Sequence, residues 1–202
     1  MSDTLFASSF ISAHASRQML NQERIRAMLA SPTVEAAAQI LTDCGYAVIT
    51  GTDDEIIDAE RLKTFAQFVK LCAEDDALVA CVRAYYDFKT TIKDINVSYS
   101  DAEKKLFKII DEYYPQIRDT CIQKYFKTAL DAFKKNQKQP DDLLYKIAHD
   151  CKNDFDSLGP LFHWYILKQS EFKVVKTILM GKRFDFSREI IRDNLRGLHE
   201  RF

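Results

Sequence analysis

An all-α fold follows from three features of this chain. Only five Gly and four Pro occur in 202 residues, so turns are few and elements long, whereas an all-β chain needs a turn signal about every ten residues. Apolar residues recur at helical spacing, most clearly at Ile117, Cys121, Ile122, Tyr125, Phe126, Ala129, Leu130 and Phe133, a stripe wide enough to be a core face. Thr52 with Glu55, and Ser100 with Glu103, have the spacing of capping boxes, in which two side chains satisfy each other's orphan backbone donors. No segment reads as a strand. Hydrophobic residues at 47% and charged residues at 29% are ordinary for a globular chain long enough to bury a core.

From the N-terminus, residues 6–20 and 21–29 are expected as two helices, the second opened by Asn21 as a cap with Glu23 in its first turn. Ser31-Pro32 reads as the next cap and first helical position, starting a helix whose apolar run, Val34 to Leu41, stops before Gly45. Residues 46–49 follow as a packed connector. In the next helix Leu62, Phe65, Ala66, Val69, Cys72 and Ala73 are expected to face inward, and a further helix covers 77–86. Leu106, Ile109, Ile110 and Tyr113 form another stripe, and Pro115 permits a restart. The polar, Pro-ended segment 136–140 is the candidate linker. It divides the chain into a helical unit with a long extension (1–136) and a C-terminal helical unit (137–202). Leu143, Leu144, Ile147, Ala148 and Cys151 resume the periodicity, Gly159-Pro160 interrupts it, and the last three helices are expected over 161–169, 171–180 and 187–201.

The charge distribution points to surfaces rather than to a reaction centre. Residues 27–60 hold seven acids, Glu35, Asp43, Asp53, Asp54, Glu55, Asp58 and Glu60, with no Lys or Arg. The last thirty residues hold Lys173, Lys176, Lys182, Arg183, Arg188, Arg192, Arg196 and Arg201 against four acids. Such asymmetry in a chain of net charge -1 can orient it between partners of different charge. Arg188, Arg192 and Arg196 recur every four residues and so line one helix face, with Ile191, Leu195, Leu198 and Phe202 on another. A pI near 6.4 and the interspersed acids argue against a nucleic-acid partner.

No glycine-rich phosphate loop occurs, and the Asp residues between 141 and 156 lack the glycine and terminal glutamate of a calcium loop. His149 and Cys151 are two residues apart, a spacing that sends their side chains to different helix faces and argues against a nucleophile pair. No catalytic, cofactor-binding or metal-binding residue is therefore expected. Five Cys without close pairs read as reduced thiols in a cytosolic protein. The N-terminus lacks a basic region followed by an apolar run, and no window approaches about eighteen consecutive apolar residues. Contact with a membrane is expected only through a partner.

Residues 170–202, SEFKVVKTILMGKRFDFSREIIRDNLRGLHERF, resemble the closing segment of the C/d family of V/A-type ATPase central-stalk proteins. That ending runs through an acidic residue (Glu171), a helix finishing in Leu-x-x-Gly-Lys (here Ile178 to Lys182), and an amphipathic helix with an Ile-Arg-x-x-Leu-Arg core (Ile191-Arg192, Leu195-Arg196). Arg24-Ile25-Arg26, residues 30–33, Thr42 to Tyr46, and Tyr86-Asp87-Phe88 with Lys93 resemble the family's opening repeat. An internal echo fits too: Asp87-Phe88-Lys89 and Glu171-Phe172-Lys173 occupy the same place in two helical runs. The resemblance implies a shortened relative of the family's funnel of helical repeats, without an active site. It implies partners in the central stalk and the proteolipid rotor ring of a V/A-type ATPase, and a place on the cytoplasmic face of the membrane. Arg188, Arg192, Arg196, Lys182, Arg183, Asp87 and Glu171 are its candidate partner-binding residues. The alternative is a freestanding helical adaptor.

Overall fold

The computed structural model describes residues 19–72, 78–83, 104, 108, 112, 121–134, 141–153 and 158–195. Their regular elements are helical: α1 (Gln22–Ala30), α2 (Val34–Gln39) running into a 3-10 turn (Ile40–Cys44), α3 (Asp53–Cys72), α4 (Cys121–Lys134), α5 (Asp141–Asp150) followed by a 3-10 turn (Cys151–Asn153), α6 (Gly159–Arg183) and α7 (Arg188–Leu195). Residues 78–83 are helical as well. The protein is mostly helical, with no strand among the described residues. The expected helix over 6–20, the Ser100–Glu103 box, the stripe from Leu106 to Tyr113 and the linker 136–140 fall wholly or mainly outside the described residues.

The chain forms two compact units. The terminal unit comprises Ser9–Gln67 with Trp164–Phe202, and the middle unit Phe68–His163 with Met1–Ser8. This division differs from the one expected at residue 136. Phe172, Val174, Val175, Ile178, Leu179, Ile191 and Leu195 share one buried apolar cluster with Leu20, Ile25, Met28, Leu41, Ile56 and Ile57. Composition can mark a loop, but it does not reveal which distant segments bury their apolar faces together.

In the terminal unit, helix starts depend on short polar side chains. Asn21 Oδ1 accepts from Arg24 N at 2.8 Å to cap α1. Ser31 instead ends α1, its hydroxyl donating to the Ala27 carbonyl at 2.9 Å. Thr33 caps α2, accepting from Ala36 N at 3.1 Å, so this start lies after Pro32 rather than at it. The capping box forms as expected: Thr52 N donates to Glu55 Oε2 at 2.7 Å, and Glu55 N donates to Thr52 Oγ1 at 3.3 Å.

The inward face of α3 matches the expected one only in part, with Cys72 buried and Phe65 and Val69 half-buried as their spacing predicts. Leu62 is 73% exposed and Ala66 is exposed, whereas Asp53, Ile56, Ile57, Glu60, Thr64, Phe68 and Cys72 are buried. These positions also recur at three and four residues. Three of them are polar, so a search by hydrophobicity selects a stripe that is only partly right. The helices expected over 161–169 and 171–180 are one helix, α6, of 25 residues. Neither Gly nor Pro separates them, and Ser170 is buried within the helix.

Two left-handed residues close helical segments. Gly45 has φ 75 and Asp185 φ 53. At the end of α6, Phe186 N donates to the Gly181 carbonyl at 2.8 Å and Asp185 N to the Lys182 carbonyl at 3.1 Å, the pair of bonds of a Schellman motif. Gly45 and Tyr46 repeat it on Thr42 and Leu41. Asp carries a Cβ penalty in this region that Gly lacks. Asp185→Gly should therefore stabilise the protein by roughly 1 kcal/mol, read as a raised urea midpoint at unchanged slope.

In the middle unit α4 packs on α5. Ile122, Tyr125, Phe126 and Ala129 are buried, as their spacing predicts, with Ile147, Ala148 and Cys151. The Phe162 ring lies 4.9 Å from Tyr125 and 5.8 Å from Phe126. Cys44, Cys72 and Cys81 are not in disulfides, but Cys151 is disulfide-bonded. The reading of all five as reduced does not hold, because pairing depends on proximity in the fold rather than on spacing in sequence.

Candidate partner surface

The closing segment of the terminal unit is held by a buried polar knot. Glu171 is 0% exposed. Its Oε2 accepts from Leu20 N at 2.8 Å, and its Oε1 accepts from Lys168 Nζ at 2.7 Å and from the Tyr46 hydroxyl at 3.1 Å. Lys168, one helical turn before Glu171, is itself buried, its Nζ 5.5 Å from the Tyr46 ring centroid. Phe172 meets Tyr46 edge-on at 6.4 Å. Burial raises the Tyr46 hydroxyl well above its ordinary pKa, and the Glu171 charge adds to the effect. Burial likewise pushes the Cys44 thiol to about 11, although Arg24 Nη1 lies 3.6 Å from its sulfur. Glu60 is also raised, by burial first, with Lys63 and Lys168 opposing. A thiol so shifted is a poor nucleophile. The knot orders three chain segments and holds no activated group.

Two charged contacts tie α6 to the start of α3. Arg183 grips Asp53 through Nη2 to Oδ1 at 2.7 Å and Nε to Oδ2 at 3.2 Å, a forked geometry suited to a carboxylate. Lys176 Nζ lies 2.5 Å from Asp54 Oδ1, an exposed pair of little energetic weight. Lys182 donates to the carbonyls of Leu29 and Ser31 and so satisfies the end of α1.

After the turn, α7 starts at Ser187, whose Oγ accepts from Ile190 N at 3.4 Å. It crosses α6 at Gly181, where a Cβ would lie 2.5 Å from Ile191 Cγ1. Ile191 and Leu195 are buried, leaving Arg188 and Arg192 exposed. Arg192 lies 3.7 Å from Asp193 in a pair open to solvent.

The structure thus separates the sequence-predicted site residues. Arg188 and Arg192 lie on the surface. Lys182 and Arg183 are committed to intramolecular contacts, Glu171 is interior, and Asp87 and Arg196 lie outside the described residues. Sequence reasoning missed four exposed apolar side chains near α7: Met180 (39%), Phe184 (62%), Phe186 (53%) and Ile190 (49%). They are four of the six large exposed hydrophobics among the described residues, and such clustering marks interaction surfaces. Nothing in the sequence marked them, because apolar residues are assigned inward until packing is known.

Among the described residues no group of His, Cys, Asp and Glu is arranged to hold a metal, and no helix is long and apolar enough to cross a membrane. Comparison with protein-family models, curated proteins and solved structures finds no match to this chain.

Proposed function

We propose that this protein is a non-catalytic coupling component of a rotary V/A-type ATPase, a shortened relative of the C/d family of the central stalk. It would join the central stalk to the membrane rotor ring from the cytoplasmic side. The observation that carries the reading is the construction of the closing segment, the region of strongest family resemblance. That segment pairs a packed, internally hydrogen-bonded helix (α6) with a short helix (α7) flanked by exposed aromatic and arginine side chains. Transmission of torque needs a stiff body under a partner-facing surface, and aromatic and Arg residues are the types that dominate protein interfaces. The Cys151 disulfide sits least easily with the proposal, because such bonds are rare in a reducing cytoplasm.

The alternative, a freestanding helical adaptor, rests on the same exposed surface without the family resemblance. A tagged pull-down from native membranes solubilised in mild detergent separates the two. Recovery of a proteolipid ring with central-stalk proteins supports the rotary reading, and a soluble partner in their place rejects it. With the partner in hand, Arg188→Glu combined with Arg192→Glu should weaken the complex at least about tenfold and leave the thermal midpoint nearly unchanged. Unchanged assembly would remove this surface from the proposal.

A further inference from the structure

We infer that the contact between His149 and His163 is an acid-sensitive latch that closes the α5 and α6 part of the middle unit while the His163 ring is neutral. This inference is independent of the rotary reading. The two imidazoles meet edge to face, ring centroids 5.4 Å apart at 82°. His149 Nδ1 and His163 Nε2 are buried atoms, and neither has a hydrogen-bond partner among the described residues. Lys152 Nζ lies 2.8 Å from His149 Nε2. An ammonium can only donate, so that nitrogen accepts and the ring proton of His149 sits on Nδ1.

A second proton on His163 would leave its Nε2 a donor with no acceptor beside it among the described residues. The titratable and charged groups facing His163 among the described residues are His149 and Lys152. Both oppose added positive charge. Tyr145, on the same helix as His149, stacks at 6.0 Å on that ring and adds no negative charge. Burial, then His149 and Lys152, lower the His163 pKa from 6.5 to about 4.

A group whose folded pKa is depressed in this way supplies stability that is complete above its unfolded pKa. That stability is lost as pH falls toward the folded value. The window here is pH 6.5 down to about 4.

Hydrogen exchange on the full chain at pH 7 and pH 5, corrected for intrinsic rates, reads the latch. Opening of amides in 141–153 and 158–163 should rise at least about tenfold on acidification, while amides in 22–30 change little. His163→Phe should abolish that difference. Equal pH dependence in the wild type and the variant, or in both segments, would overturn the inference. If the variant fails to fold, a ring-nitrogen NMR titration of the wild type decides: a His163 midpoint below 5 supports the latch, and one near 6.5 rejects it.

Discussion

Replacing Glu171 by Ala should destabilise the protein by about 3–5 kcal/mol, because it leaves the Lys168 ammonium buried without its counter-charge. The carboxylate satisfies three donors at once, Leu20 N, Lys168 Nζ and the Tyr46 hydroxyl, and none is exposed enough for water to take its place. Removing both charges, as Lys168→Met with Glu171→Leu, should recover only the part of the loss due to the unpaired ammonium, because Leu20 N and the Tyr46 hydroxyl still lack their acceptor. Urea unfolding of Lys168→Met, Glu171→Leu and the double variant measures the coupling. If Glu171→Ala cost under about 1 kcal/mol, the neutral hydrogen-bond scale, the knot would not hold the closing segment.

Gly181→Ala should destabilise by about 1–3 kcal/mol, the usual range for overpacking, although Ala is the better helix former. The added Cβ would stand 2.5 Å from Ile191 Cγ1 and 2.9 Å from its Cδ1, and Ile191 is one of two buried residues that hold α7. The strain is relieved by moving α7 away, which displaces Arg188 and Arg192. Partner binding should therefore fall with stability, whereas the arginine substitutions weaken binding alone. Adding Ile191→Ala vacates the contested space, so the two substitutions together should cost less than the sum of the two made separately. A stable Gly181→Ala protein with unchanged α7 chemical shifts would show that the close crossing does not position the helix.

The helix starts were legible because their chemistry is local. Asn21 caps α1, and Thr52 with Glu55 closes the capping box. In both, the donor, the acceptor and the spacing lie within four residues. The stripe at Ile122, Tyr125, Phe126 and Ala129 was legible for the same reason, since apolar content and helical period agree there. On α3 they conflict. Asp53, Glu60 and Thr64 occupy the buried face while Leu62 faces solvent, and the reasons lie elsewhere in the chain. Asp53 finds Arg183, 130 residues away.

The candidate site divides along the same line. Arg188 and Arg192 were found from a repeat of four on an amphipathic helix. The fate of Glu171, Lys182 and Arg183 was not legible, because a charged residue looks alike in sequence whether it faces solvent or a partner in the fold. Nor could the exposure of Phe184 and Phe186 be read, since apolar residues are assigned inward until packing is known.

By itself, the sequence determined the helical class, the capped starts of α1 and α3 and the cationic end of the chain, all products of backbone chemistry and short-range spacing. The tertiary structure alone decided which helix faces are buried, which charges are consumed internally, and that the N-terminal helices share a core with α6 and α7. The physical reason is that burial is a property of pairs of segments: their apolar areas, counter-charges and a Cβ-free crossing at Gly181 meet only when the chain has folded.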